Sequence, residues 1–335
     1  LGSATITAVH EFVAHDGTKV VFSTGNNKIF SGVGTLVDIT PASFTVTADD
    51  WQIVTLNDYC YFFQSAHEPL AYKHSSTTLD EISAVAGYNG TAPEANTVIS
   101  AYGRLWAADI VANKYTVYWT DLLIGHAWAG TSGGSIDITD VWPNGDDEIV
   151  ALAAHNNYLL IFGRESIIVY GSSHASGKIT DPATDLVLLD VVSGIGCAAR
   201  KSIQSVGSDL LFLDRSGVRS FARVIQEKSL PIGDISKNVR ADIKDIVAAE
   251  TGTIYSIFSP DEAFYLLGFP SSTTVYCFDM RGFLEDGSAR ATTWSGVDFS
   301  SATELQDGSA YFGNTDGICK YTGYLDDAAT YRMRY

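Results

Sequence analysis

The sequence lacks any run of about 18 or more apolar residues. A helix needs about 20 such residues to span a bilayer, so no membrane insertion by this chain is expected. The chain starts at Leu1, and no charged stretch precedes an apolar one, as a signal peptide requires. We therefore interpret the first residue as an internal position and expect the native polypeptide to extend beyond it.

Cysteine is scarce, and no CxxC pair is present. The four cysteines, Cys60, Cys197, Cys277 and Cys319, fall in four different segments of the chain, and three of them lie within apolar runs. Zinc and redox sites use closely spaced cysteines, whereas buried single thiols are common in protein cores. We expect free structural thiols and synthesis in a reducing compartment.

Positive charge is also scarce. The chain has 21 Lys and Arg against 39 Asp and Glu, a net charge of −18. Such a surface repels phosphate, which argues against a protein that grips nucleic acid. It is compatible with a channel surface along which DNA slides without binding.

The chain is rich in apolar and aromatic runs that are separated by polar turns. This pattern repeats seven times. The midpoints of the seven copies are Val21, Tyr61, Trp106, Leu160, Leu211, Tyr265 and Tyr311. They are spaced by 40, 45, 54, 51, 54 and 46 residues. A period near 45 residues built from strands is typical of β-propeller blades. The sequence predicts an all-β propeller of seven blades, or six if the first or last copy only closes the ring.

Within one copy the pattern predicts four strands. In the fourth copy they are 148–153, 158–162, 166–170 and 186–191. One propeller domain over 1–328 is expected, and 329–335 alternates like the start of a strand or further region that continues beyond Tyr335. The fourth strand of the last copy could come from this segment or from 4–9.

One short inserted helix is predicted near 234–249, and it is the only clear helix. Its apolar positions Ile235, Val239, Ile243, Ile246 and Val247 recur on one face. Asp234 is the expected N-cap.

No set of residues with a catalytic pattern converges, so no enzyme activity is expected. The Ser-Gly-Gly sequence at 132–134 lies in a glycine-rich loop without the strand and helix of a nucleophile elbow. No cofactor motif is present. The densest acidic run is Asp146, Asp147 and Glu148, the best candidates for a cation. Because the alternation of a calcium loop is missing, a solvated charge run is favoured there.

From the third copy onward, eight short segments stand in a characteristic order: 103–108 (GRLWAA), 118–121 (YWTD), 134–138 (GSIDI), 147–152 (DEIVAL), 157–163 (NYLLIFG), 194–199 (GIGCAA), 207–213 (GSDLLFL) and 217–218 (GV). Each segment alone is a strand with a turn. In order and spacing together they resemble the propeller of tail nozzle, or tail tubular, stabilisation proteins of short-tailed bacteriophages. The resemblance covers roughly residues 1–330 and is strongest over 97–221.

The resemblance implies a structural virion protein that is made in the host cytoplasm and located in the virion tail. Copies of the chain would form a ring of six below the adaptor, contact tail fibres or spikes at the side, and enclose the route by which the genome leaves the capsid. Two alternatives stay open. One is a carbohydrate-binding or glycan-cleaving propeller at the host surface, for which Trp51, Trp128, Trp142 and Trp294 are candidate exposed aromatics. The other is an interaction scaffold outside any virus.

Overall fold

Seven antiparallel sheets surround one axis in a computed structural model of the chain, forming a seven-bladed β-propeller. The structure describes residues 5–46, 50–227, 234–295, 297, 299–322, 325–326 and 329–330. Within these residues, no helix is long and apolar enough to cross a membrane. The prediction of seven blades is confirmed.

The first four blades each have four strands in sequence order. Blade 1 contains β1 (Ala8–Val13), β2 (Lys19–Gly25), β3 (Lys28–Ser31) and β4 (Val37–Asp38); blade 2 contains β5 (Trp51–Leu56), β6 (Tyr59–Gln64), β7 (Leu70–Lys73) and β8 (Thr78–Glu81). Blade 3 contains β9 (Ala95–Ala101), β10 (Arg104–Ile110), β11 (Thr116–Trp119) and β12 (Gly134–Asp137); blade 4 contains β13 (Ala151–His155), β14 (Tyr158–Phe162), β15 (Ser166–Ser172) and β16 (Leu186–Ser193).

The last three blades have three, four and three strands among the described residues. Blade 5 contains β17 (Gln204–Val206), β18 (Asp209–Asp214) and β19 (Gly217–Ser220); blade 6 contains β20 (Tyr255–Ser259), β21 (Phe264–Phe269), β22 (Thr274–Phe283) and β23 (Ala289–Ser295). Blade 7 contains β24 (Ser301–Glu304), β25 (Ala310–Asn314) and β26 (Gly317–Lys320). The short pair β27 (Leu325–Asp326) and β28 (Ala329–Thr330) forms a separate hairpin.

The second strand of a blade explains why the apolar runs are continuous. In β14, Leu159 and Ile161 pack into the core between blades 3 and 4, whereas Leu160 and Phe162 pack into the core between blades 4 and 5. All four side chains are almost fully buried. Each such burial contributes about 1.5–3 kcal/mol, so a strand sandwiched between two neighbours needs apolar residues on both faces. All seven predicted midpoints lie in second strands.

The ring closes through the residues just before blade 1. The backbone N–H of Ile6 donates to the carbonyl of Asn314 at 3.0 Å, and Ser301 Oγ donates to the carbonyl of Ile6 at 2.9 Å. Strand β1 then contacts β24. The expectation that 4–9 could supply a fourth strand of the last blade is wrong, because Ala8 and Val9 begin the first blade.

The predicted terminal strand finds a different partner. Thr330 and Ala329 pair with Leu325 and Asp326 rather than with β26. The remainder of the predicted strand, 331–335, lies outside the described residues.

The predicted helix is present but begins later. A single 3₁₀ turn, Lys237–Val239, precedes the α-helix Arg240–Ala249, in which Ile243 is buried. Asp234 does not cap the helix. Its carboxylate accepts hydrogen bonds from the backbone N–H and hydroxyl of Ser236, at 2.9 and 2.7 Å, and its backbone forms a bridge with Arg219 of blade 5.

The described residues contain two further α-helices, so the prediction of one helix is incomplete. They are α1 (Pro182–Asp185) and α2 (Phe221–Glu227); the helix Arg240–Ala249 is α3. Helix α2 packs Phe221 and Val224 into the core between blades 4 and 5. The spacing of these apolar residues was a helical signal in the sequence, but α2 is too short for it to stand out.

Candidate functional site at the axial mouth

The two ends of the propeller axis are built from different parts of each blade. The first strands line the axis and contact one another around the ring, β1 with β5, β5 with β9, β9 with β13, β17 with β20, β20 with β24 and β24 with β1. We call the end at which these strands begin the entry end, and the end at which they turn into the second strands the turn end.

Charged side chains cross the axis at the entry end. Asp50 precedes β5 of blade 2, whereas Arg200 and Lys201 precede β17 of blade 5, on the far side of the ring. The carboxylate of Asp50 forms an ion pair with Arg200, and its Oδ1 lies 2.8 Å from Lys201 Nζ. We call these three residues, together with Tyr255, the axial cluster.

Tyr255 extends the axial cluster to two more blades. Lys201 Nζ donates to the Tyr255 hydroxyl at 2.8 Å and lies 4.5 Å from the centre of its ring. The hydroxyl in turn donates to the carbonyl of Thr7, before blade 1, at 2.6 Å. Side chains from blades 2, 5 and 6 and the backbone before blade 1 therefore form one hydrogen-bonded bridge that obstructs this mouth of the channel.

The electrostatics of the bridge favour the charged carboxylate. Burial by itself raises the pKa of Asp50, but the charges of Lys201 and Arg200 outweigh it and hold that pKa at about 2. The side chains of Lys201 and Arg200 are only 10% and 17% exposed. The ion pairs are therefore screened by the protein from much of the solvent, and they tie opposite blades together.

A cavity of about 330 Å³ opens beside the axial cluster. Three carboxylates line it, and each has a partner. Asp109 forms an ion pair with Lys114, Glu148 lies 2.7 Å from Arg164, and Glu250 accepts the backbone N–H groups of Gly252 and Ser271. General acid–base catalysis requires a carboxyl group that can exchange a proton with a substrate. These carboxylates are engaged in ion pairs and turn hydrogen bonds instead.

A second and larger concavity lies between blades 4 and 5, beside α3. Its volume is about 940 Å³. Six of the 21 Lys and Arg of the chain line it, Arg164, Arg215, Arg219, Lys237, Arg240 and Lys244, with the acids Glu165 and Asp214. We call it the basic groove. On a protein of net charge −18, it is a local reversal of sign.

Sequence reasoning missed the basic groove, although a signal was present. Nine of the 21 Lys and Arg fall between 200 and 244, where only five Asp and Glu occur. The bias is confined to one segment, so the overall charge of −18 does not reveal it.

Comparison with known proteins shows the fold alone. No family model matches the chain, and no curated protein matches its sequence. Among solved structures, U3-55K is similar with a TM-score of 0.56 and 10% identity over 92% of this chain and 88% of that one. PorZ, an essential bacterial surface component of the type-IX secretion system of Porphyromonas gingivalis, has a TM-score of 0.50 and 14% identity over 94% of this chain and 37% of that one. Neither is a phage tail protein.

The three residues of the acidic run 146–148, which were the candidates for a cation, have separate structural roles. Asp147 is buried, and its carboxylate accepts the backbone N–H groups of Glu148, Arg164 and Glu165 at 2.8–3.0 Å. Glu148 pairs with Arg164, and Asp146 is exposed. In the described part of the chain, no group of three or more His, Cys, Asp or Glu is arranged to hold a metal ion. Asp147 holds the turn between β14 and β15.

The Ser-Gly-Gly sequence is likewise part of a turn. The backbone N–H and hydroxyl of Ser132 both donate to Asp121 Oδ1, at 2.6 and 3.1 Å. The hydroxyl is therefore held by a carboxylate in the same blade.

The tryptophans proposed as an exposed sugar-binding set are not exposed. Trp51, Trp128 and Trp142 are 1%, 5% and 4% exposed and pack in the cores between blades. Trp294 is half-buried and stacks on Tyr321 at 6.1 Å. The prediction failed because Trp51 in a first strand and Trp128 and Trp142 in the loops of blade 3 fill the space between neighbouring blades.

The four cysteines are free thiols, as predicted. Cys60 and Cys197 are buried. Burial raises the pKa of Cys197 to about 12 and that of Cys277 to about 11, although hydrogen bonds to each thiol act in the opposite direction. Raised values keep these thiols protonated and unreactive.

Proposed function

We propose that this chain is a structural subunit of a phage tail nozzle, in which copies form a ring around the route of the ejected genome. The observation that carries the proposal is the axial cluster. Its charged groups converge on the axis, the usual place for a ligand in a ring-shaped fold, and they bind one another. Ion pairs that join opposite blades across the axis make the ring resist deformation, and this suits a subunit with a mechanical role.

The axial cluster also restricts where DNA would pass. Asp50, Arg200, Lys201 and Tyr255 obstruct the channel of the propeller itself. The genome route would therefore be enclosed by several copies standing side by side, with each propeller forming part of its wall. Acidic residues on that wall repel DNA over about 10 Å at 0.1 M salt, which would keep the DNA mobile.

The sequence resemblance supports the same role. Three of the segments that carry it, 103–108, 157–163 and 207–213, supply second strands and the turns before them. Docking to an adaptor and to fibres or spikes follows from that resemblance and forms part of the proposal. The glycan-binding alternative has lost its motivating aromatic surface, because Trp51, Trp128 and Trp142 are buried.

Electron microscopy tests the proposal. Purified protein at high concentration should form rings, and antibodies against the chain should label the tail axis of virions. Particles without label, together with protein that stays monomeric, would refute the nozzle role.

A further inference from the structure

We propose that the basic groove binds the acidic edge of a second copy of this chain. The acidic edge consists of Asp261, Glu262, Glu304 and Asp307, in blades 6 and 7. This inference rests on the proposed ring of copies and specifies which two surfaces join them. It assigns a partner to a surface that the axial cluster does not use.

The groove presents a row of cations on one side of a helical segment. Lys237, Arg240 and Lys244 are spaced by three and four residues and are all exposed. Side chains at this spacing share one face of a helix. Arg164 and Arg215, from the turns of blades 4 and 5 at the entry end, face the same concavity.

Arg164 pairs with Glu148 and Arg215 pairs with Glu165, but the cations of the helical row are only loosely paired within the chain. Lys237 Nζ lies 3.4 Å from Asp286 Oδ2, and Arg240 Nε lies 3.6 Å from Asp234 Oδ2. Lys244 makes no ion pair within the described residues. Exposed ion pairs contribute about 0–1 kcal/mol, so a partner rich in carboxylates can replace or extend them at little cost.

Three of the four carboxylates of the acidic edge have the opposite character, whereas the pKa of Asp307 is lowered by hydrogen bonds from Ser309 and by the charges of Lys320 and Lys19. Asp261 and Glu262 form the turn between β20 and β21, and Glu304 and Asp307 lie at the next turn, between β24 and β25. The two turns are close, because a methyl group at Gly308 would come within 2.7 Å of Asp261 Oδ2. Among the residues that the structure describes, Asp261, Glu262 and Glu304 make no ion pair with Lys or Arg.

Repulsion between the carboxylates of this edge affects Glu304. Its pKa is raised, first by burial and then by the charge of Asp261. Like charges held close together destabilise the isolated chain slightly. An incoming cationic surface would relieve that repulsion, so the edge gains from contact with the groove.

One chain cannot satisfy both surfaces itself. The groove is formed at the entry end of blades 4 and 5, whereas the edge lies at the turn end of blades 6 and 7. Contact between them must therefore join two copies through different surfaces. A heterologous contact of this kind generates a ring when its rotation closes and a filament when it does not.

A protein partner fits the groove better than a nucleic acid does. Glu165 and Asp214 line the groove beside its cations, and the whole chain carries −18. A continuous phosphate backbone would meet these carboxylates, whereas separate carboxylates on a protein edge can be placed between them.

Charge reversal on each side tests the contact. Arg240→Glu with Lys244→Glu reverses the groove, and Asp261→Lys with Glu262→Lys reverses the edge. Self-association is measured by sedimentation velocity over a range of concentrations, between about 0.1 M and about 1 M salt, where the screening length falls from about 10 to about 3 Å. Wild-type association should weaken with salt, and each reversed variant should associate about tenfold more weakly or worse, because like charges then face each other.

A mixture of the two charge-reversed variants gives the decisive test. The groove variant and the edge variant should each stay dissociated alone, but a one-to-one mixture should assemble, because each then offers the charge that the other needs. Lys178→Glu on blade 4 and Asp140→Lys on blade 3 are single-site charge-reversal controls at exposed positions away from both surfaces, and they should associate like the wild type.

The outcomes separate the two proposals. Rings that persist unchanged in the groove and edge variants would overturn this contact while leaving the nozzle function standing. A wild-type chain that is monomeric throughout would overturn this contact, and only together with virions that carry no antibody label would it also overturn the nozzle function. If the groove variant loses binding to a short DNA duplex but assembles normally, the groove is a nucleic-acid site and the inference is wrong.

Discussion

Carboxylates at the entry end and at the turn end of the propeller meet opposite surroundings. Asp50 lies between Arg200 and Lys201, and its pKa is held at about 2. Glu304 lies beside Asp261 without a paired cation, and its pKa is raised. Carboxylates therefore link opposite blades at the entry end. At the turn end they leave unbalanced negative charge on the surface. Carboxylates satisfied within the chain are structural, whereas the unsatisfied set is available to a partner.

The largest expected effect is the loss of the cross-axis ion pair. Asp50→Asn leaves Arg200 and Lys201 close together without their anion. Because the side chain of Asp50 is 38% exposed, we expect a loss of about 1–3 kcal/mol in the free energy of unfolding, less than for a fully buried pair. Urea denaturation measures it. Asp140→Asn, at an exposed position, is the control and should change stability by less than about 0.5 kcal/mol. Equal effects of the two substitutions would show that the bridge does not stabilise the fold.

The second largest effect is a dependence of stability on pH that arises from the titration of Asp50. A carboxyl group whose pKa is lower in the folded state stabilises the protein above its unfolded pKa, and this contribution is lost as pH falls toward the folded pKa. The stability difference between the wild type and Asp50→Asn should therefore be constant from neutral pH to about pH 5 and shrink between about pH 4 and pH 2. Denaturation curves across this range measure it. A difference that shrinks already above pH 5 would contradict the assignment to Asp50.

The smallest effect is expected at the acidic edge and has the opposite sign. Asp261→Asn removes a like charge beside Glu304, so stability at neutral pH should rise by a few tenths of a kcal/mol. The pKa of Glu304 should fall toward its ordinary value, as measured by NMR titration of its carboxyl carbon. In the wild type, the raised pKa means that Glu304 costs stability at neutral pH, and this cost disappears as pH falls through its folded pKa. An unchanged Glu304 pKa in the variant would show that the two acids do not interact.

Much of the blade structure was predictable from local pattern. Strands β14 and β16 begin where the fourth copy predicts them, at Tyr158 and Leu186, and each midpoint from Val21 to Tyr311 falls in a second strand. Prediction worked there because a strand packed on both sides must be apolar throughout, and that requirement is visible in a few consecutive residues.

The site was not predictable in the same way. Asp50 and Arg200 are 150 residues apart, and nothing near either of them indicates the other. The tryptophans failed for a related reason, since a position beside a turn does not reveal whether the neighbouring blade covers it. Trp142 follows the 3₁₀ turn Thr139–Val141, yet it is buried between blades 3 and 4.

The sequence by itself determined the strand pattern, its seven copies and the excess of negative charge, because each depends on residue type and spacing along the chain, whereas closure of the ring decided that all seven copies are blades. Only the tertiary structure decided which charges meet. Closing the ring brings blade 2 opposite blade 5 and leaves the acids of blades 6 and 7 together at one edge. Electrostatic energy depends on distance in space, so it is fixed only when the wheel has closed.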